Sequence, residues 1–283
     1  MALLRTADEL RSTLPAMARP VLVPTMGALH AGHVELLRAA RSAAGSGRPV
    51  VMTLFVNAAQ FDDPSDFHRY PRDERRDAEL AHAEGADHVF APAYETVYPP
   101  DDPAAAPAIA DADLPAVATE PGLEDAARPG HFAGVYRVCK RLFELTEPAA
   151  AVFGEKDWQQ LQLVGAMVRR EAMPIEIVPI ATVREADGLA MSSRNARLSE
   201  GQRARASAMP HALEAARAER DPSAAEWAAQ RVLEAAGLVV EYAAVRDAET
   251  LAGPPGPGRP GRVLVAASLP STRLIDNASW PGE

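Results

Sequence analysis

The chain has a single cysteine, Cys139, in 283 residues, which excludes an intrachain disulfide and a multi-cysteine zinc site. Lying among Val135, Val138 and Leu142 at helical spacing, it reads as a core residue rather than a reactive thiol. Positive charge is also short: Lys plus Arg total 29 against 39 for Asp plus Glu, a net −10. That balance argues against broad nucleic-acid binding as the main activity and leaves room only for a local basic pocket. Long apolar runs are missing. No window approaches the ~18 residues of a membrane span, and the opening Met1-Ala2-Leu3-Leu4-Arg5-Thr6 has no apolar signal core, so a cytoplasmic protein is expected. No Gly-x-x-x-x-Gly-Lys-Ser/Thr loop is present. Gly256-Pro257-Gly258-Arg259-Pro260-Gly261 mimics a dinucleotide fingerprint, but its prolines withhold N–H groups and a strand follows it, which excludes that reading.

What is there is an ordinary globular balance, 47% hydrophobic and 24% charged, at a length that suits one large or two medium domains. Two are expected, a larger unit over residues 1–182 and a smaller α+β unit over 183–283. The organising stretch is Pro24-Thr25-Met26-Gly27-Ala28-Leu29-His30-Ala31-Gly32-His33. The β-branched run Val21-Leu22-Val23 precedes it, and Leu36, Leu37 and Ala40 recur at helical spacing after it, so it predicts a strand, a glycine turn and a helix opening on histidine. Free N–H groups at such a helix start, with the helix dipole, favour an anion, and His30 and His33 share one side of the first turn as further donors. Surface polarity or a metal pair is the other reading of an isolated His-x-x-His.

The next strand, Val50 to Val56, completes a parallel βαβ unit, which makes a doubly wound sheet the expected fold. Beyond it Asn57 and Gln60 bring carboxamides, suited to hydroxyl and carboxylate groups, to the sheet edge that carries His30. The segment Asp62 to Asp77 reads mostly as a solvated loop and helix face, with Asp62 or Asp63 as candidates to assist a magnesium ion. Ala104 to Arg128 reads as short strands or loops without assigned chemistry. His131, just ahead of a helix through Leu145, suits an anion or a simple cap. A second strand-to-helix turn, Gly154-Glu155-Lys156-Asp157 after Ala150 to Phe153, adds a cation to the same edge, and Met191-Ser192-Ser193-Arg194 offers hydroxyls and a guanidinium fork suited to polyphosphate.

Taken in order, these blocks resemble the pantoate–β-alanine ligase family. The residues that carry the resemblance are Pro24 to His33, Phe55-Val56-Asn57-Ala58-Ala59-Gln60-Phe61, Gly130-His131-Phe132-Ala133-Gly134-Val135, Phe153 to Asp157 with Gln159-Gln160, Arg184 to Asn195, and Thr272-Arg273-Leu274-Ile275-Asp276-Asn277. His-x-Gly-His alone is shared with nucleotidylyltransferases and class I aminoacyl-tRNA synthetases; the later blocks are more specific. One departure stands out: the family usually has proline where Ala58 stands, which implies a looser Gln60.

The resemblance implies ATP-dependent condensation of (R)-pantoate with β-alanine to pantothenate, AMP and pyrophosphate through a pantoyl-adenylate. It also implies Mg2+, a Rossmann-like larger domain, a smaller C-terminal lid and a homodimer, with no nucleic-acid or membrane partner. By motif position, Met26, Gly27, Ala28, Leu29, His30, Ala31, Gly32 and His33, together with Gly154, Glu155, Lys156, Asp157, Val183, Met191, Ser192, Ser193 and Arg194, form the ATP site. His30, His33, Lys156 and Arg194 carry the catalytic assignment. Gln60 and Gln160 hold pantoate, with Asn57 and His131 as further substrate-side candidates and no metal ligand assigned. Two rivals stay open: a nucleotidylyltransferase that stops at a nucleotide-linked product, and a nucleotide sensor without turnover.

Overall fold

In the computed structural model, residues 3–15, 18–62, 64–102, 109–110, 113–270 and 272–281 are described, and the remaining positions lie outside this set. A first helix α1 (Ala7–Thr13) is started by a Thr6–Glu9 capping box. Strands β1 (Val21–Val23), β2 (Val50–Thr53) and β3 (His88–Phe90) then alternate with α2 (Ala31–Ala44), α3 (Pro64–Arg69) and α4 (Glu74–Ala83). After α5 (Tyr94–Val97) and α6 (Glu124–Ala127) come α7 (His131–Thr146), β4 (Ala150–Gly154), α8 (Trp158–Arg170) and β5 (Glu176–Ile180). The sheet order is β3-β2-β1-β4-β5 with every pair parallel, so it grows outward from β1 in one direction and then restarts at β4 in the other. This is the doubly wound, Rossmann-like arrangement the sequence predicts, and its switch point lies between β1 and β4.

Period-two alternation sorts the strand residues onto two cores. Leu22, Val51, Phe90 and Ala151 pack with α1, α7 and α8, while Val21, Val23, Val50, Met52, Val89 and Val152 pack with α2 and α4. Where both faces are covered, in β1, β2 and β4, the strands read as largely apolar runs. Cys139 is buried in the first core, as expected. The segment Ala104 to Arg128 departs from expectation: its described part holds a 3-10 turn, Ala116–Ala118, and α6, with no strand.

The C-terminal half builds α9 (Glu200–Ala206), α10 (Ala208–Ala218) and α11 (Pro222–Ala235), then an antiparallel sheet β6 (Val239–Asp247), β7 (Gly261–Leu269) and β8 (Thr272–Trp280) in the order β6-β7-β8. Alanines on α10 and α11 let the helices lie close on Val245, Val263 and Val265. The opposite face of β6 and β7, at Ala244 and Leu264, packs with Leu123 and Leu251. Strand β8 falls on residues whose pattern predicts none. The Gly256 to Gly261 stretch leads from β6 into β7, in keeping with its exclusion as a nucleotide fingerprint.

Candidate active site

The turn between β1 and α2 starts its helix with its own side chains. His30 is the N-cap of α2, its Nδ1 accepting from the Gly32 N–H at 3.1 Å, while His33 Nδ1 accepts from the His30 N–H at 3.2 Å. A capping box is thus built from two imidazoles. A backbone N–H can only donate, so each Nδ1 is the bare nitrogen and each ring carries its proton on Nε2. Both rings line the cleft and offer it Nε2–H. Gly32 makes this possible, since a Cβ there would lie 2.8 Å from His30 Cε1. Just upstream, Asp77 is only 2% exposed and accepts from the Ala28 and Leu29 N–H groups at 2.7 and 3.0 Å. It fixes a loop in which Gly27 and Ala28 both take positive φ, 85° and 54°.

This overturns one expectation. The N–H groups of Gly27, Ala28, Leu29, His30, Gly32 and His33 all have partners within the protein, so the anion site is not a row of free backbone donors. The donors left over at this turn are the two ring Nε2–H groups. Burial pushes the His33 imidazole down to about 3, with His30 adding to the effect, and burial followed by the Lys156 charge lowers His30. Both rings are therefore neutral donors at physiological pH.

The turn after β4 is held differently. Gly154 leads into a 3-10 turn, Glu155–Asp157, that has no side-chain cap of its own. Asn277 of β8 donates to the Glu155 and Lys156 carbonyls at 3.0 and 2.8 Å. Arg262 of β7 bonds Asn277 and Glu155 and lies 3.5 Å over the Trp158 ring. Lys156 lines the cleft beside Asp157, 3.8 Å away. The third arm, Met191 to Arg194, begins a 3-10 turn capped by Ser192, and Arg194 with Arg197 grips Asp66 of α3 at 3.1 and 2.7 Å. Burial raises the Asp66 carboxyl, but the two guanidiniums outweigh that and hold it below its ordinary value.

On the opposite wall, the Gln60 loop is pinned despite Ala58. Asn57, fully buried, donates to the Gly134 carbonyl and accepts from Tyr98 at 3.1 Å each. His131 donates from Nδ1 to the Gln60 carbonyl at 2.8 Å and takes an Arg128 N–H on Nε2 at 3.2 Å. Burial and then the Arg128 charge bring His131 down to about 4. A Cβ on Gly134 would come within 2.3 Å of the Ala59 carbonyl, so glycine allows α7 to press on this loop. The loosening expected from the missing proline is thus opposed by fixed contacts on three sides.

The cleft encloses about 260 Å³ and brings together Met26, His30, Gly32, His33, Gly154, Lys156, Asp157, Val183, Met191, Ser192, Ser193 and Arg194 with Gln60, Gln160 and His131. Gly27, Ala28, Leu29, Ala31, Glu155 and Asn57 do not line it; they shape the turns behind it. His131 spends both ring nitrogens on the protein, so it positions Gln60 and Arg128 rather than offering a free donor. Asp62 pairs with Arg128 at 3.2 Å, and Asp63 lies outside the described residues. The sequence reading missed Asp77, placed on a solvated face, and Arg128, in a stretch without periodicity. The spacing of Asp77 with Ala78 and Ala81, all buried on α4, was the available signal.

The fold and the cleft define a class: a Rossmann-like α/β protein with cationic and neutral donors at the sheet's switch point. The family described as pantoate-beta-alanine ligase matches residues 2–279. The pantothenate synthetase of Paracoccus denitrificans is 50% identical over 263 residues, 91% of this chain and 89% of the relative. The crystal structure of pantothenate synthetase from Thermus thermophilus superposes with a TM-score of 0.88 at 40% identity, covering 99% of this chain and 100% of that one. That of pantoate-beta-alanine ligase from Francisella tularensis, complexed with beta-gamma ATP and beta-alanine, gives 0.79 at 26% identity and 98% of each chain. The chain belongs to the pantoate–β-alanine ligase family.

Proposed function

We propose that this chain condenses (R)-pantoate with β-alanine, consuming ATP and releasing AMP and pyrophosphate through a pantoyl-adenylate. The observation that carries the reading is the pairing, across one cleft, of polyphosphate donors on His30, His33, Lys156 and Arg194 with the carboxamides Gln60 and Gln160. Pantoate's carboxylate is ionised at neutral pH and needs no base: its oxygen bonds to the α-phosphorus as the bond to the β-phosphate oxygen breaks. The barrier lies in charge gathering on the departing pyrophosphate. Preorganised donors meet that charge, each typically worth ~3 kcal/mol. The β-alanine amine, once its ammonium proton has passed to water, attacks the acyl carbon, and the acyl C–O bond breaks with AMP leaving on its phosphate oxygen. His30 and His33 serve as donors and not as the base for this amine, because Nε2 carries their proton and Nδ1 holds the helix start.

Among the described residues no three His, Cys, Asp or Glu side chains converge as a metal site. Asp157, a carboxylate lining the cleft beside Lys156, would help hold a Mg2+ ion arriving on the nucleotide. When bound, the ion neutralises phosphate charge. The same reading takes 1–182 as the nucleotide and pantoate domain and 183–283 as the lid. It also takes the protein as a cytoplasmic homodimer, to be checked by light scattering; among the described residues no helix is long and apolar enough to cross a membrane.

Isotope exchange between pyrophosphate and ATP, with Mg2+ and (R)-pantoate but no β-alanine, tests the first half-reaction. Pantoate-dependent exchange is the expected result. Exchange without pantoate would favour a nucleotidylyltransferase acting on another acceptor, and ATP binding without any exchange would favour a sensor.

A further inference from the structure

Two neighbouring polar residues of β8, Asp276 and Asn277, are buried at 2% and 4% exposure and do not line the cleft. Buried polar groups are costly unless fully bonded, so where their bonds go is informative. Asn277 uses its whole carboxamide. Its Nδ2 donates to the Glu155 and Lys156 carbonyls, and its Oδ1 accepts from Arg262 Nε at 2.7 Å. These bonds close the 3-10 turn that carries Lys156, which has no side-chain cap of its own.

Asp276 turns to the other arm. It binds Arg184 with two bonds, at 2.6 and 3.0 Å, and Oδ1 also takes the Asn277 N–H at 2.8 Å. Arg184 is the base of a small hairpin: it bridges to Ala190, its Nη1 holds the Gly188 carbonyl, and the Met191 N–H returns to Val183. Asn195 locks the far side through Glu185 and the Ala190 carbonyl. Ser192, Ser193 and Arg194 are carried between these fixed points.

We propose that Asp276-Asn277 is the reference point that sets both cationic arms of the cleft, Asn277 acting through Lys156 and Asp276 through Arg194. The proposal rests on the ATP-site reading above. Both are positioning residues: neither lines the cleft itself, and they border only a small adjoining cavity beside Lys156 and Gln160. A shared anchor on one strand keeps the spacing between the lysine and the arginine constant, which a polyphosphate spanning them requires.

The test is a pair of double-mutant cycles read by pantoate-dependent pyrophosphate–ATP exchange, with folding checked by thermal unfolding. Asn277→Ala and Asp276→Asn are each expected to lower the exchange kcat roughly 10-fold or more, leaving the KM for pantoate unchanged. Asn277→Ala should add nothing once Lys156→Ala is present, yet keep its full effect beside Arg194→Ala. Asp276→Asn should show the reverse pattern. Equal effects in both backgrounds, or folded variants with wild-type exchange, would overturn the proposal. Should Asn277→Ala not fold, Arg262→Lys takes its place, since it withdraws the Nε donor from Asn277 while keeping a charge beside Glu155. A wild-type protein without exchange would instead sink the functional reading and leave the bonding network untouched.

Discussion

The two strand-to-helix turns that meet at the switch point do the same job by opposite means. The turn after β1 caps its helix with its own side chains: His33 takes the His30 N–H and His30 the Gly32 N–H, while Asp77 of α4 fixes the loop just ahead of them. The turn after β4 borrows its order from residues more than a hundred positions away, through Asn277 and Arg262. A ligand-facing group can thus be made rigid locally, where stability and chemistry share atoms. It can equally be made rigid at a distance, where they are separable.

The comparison is broken most severely by removing the donors. His33→Ala and Lys156→Ala should each slow adenylation roughly 10²-fold or more in single-turnover assays. Only the histidine change should also cost about 1 kcal/mol of stability in urea titration, because it removes half of the capping box. Equal stability losses would erase the distinction. Asp77→Asn comes next. It leaves the part-buried Ala28 N–H or the buried Leu29 N–H without its carboxylate partner and should lower unfolding free energy by about 1–3 kcal/mol, while the same change at Asp157, which is half-exposed, should not.

Acid sharpens the contrast further. Above pH ~6.5 His33 and His131 are neutral folded and unfolded, and their depressed values cost nothing. As pH falls, the unfolded chain takes up protons that the native rings refuse until about 3 and about 4. Each can therefore subtract up to about 2 kcal/mol by pH 5, so stability should drop between pH 6.5 and 4. His131→Asn and His33→Gln should flatten that slope in denaturation measured across the window. Smallest is Gly32→Ala. Added helix propensity of about 1 kcal/mol opposes displacement of the His30 ring, so net stability should hardly move, whereas the KM for ATP should rise several-fold.

Much of this was legible in the residues because local pattern decides it. β1, β2 and β4 announce themselves as apolar runs, and the glycines of the first turn mark its tight geometry. The same local view misplaced what depends on distant partners. It expected open N–H groups at the start of α2, since nothing nearby in sequence says that Asp77 returns to Ala28. It left Arg128 without chemistry because its neighbours have no period, and His131 supplies its reason only once α7 is folded. Strand β8 was masked by Asp276 and Asn277, whose polarity interrupts the alternation that a strand would show. The conflict between pattern and structure fell on residues whose bonds serve the cleft.

The two-histidine cap has a consequence for how this site can change. In each ring one nitrogen builds the helix and the other is left to donate at the cleft, so the motif cannot be altered one property at a time. A substitution that changes either ring as a donor also reopens the first turn of α2, and one that stabilises the helix start by another route discards a donor. Helix start and cleft-facing donors are thus one part here, and His30, Gly32 and His33 answer to both demands at once.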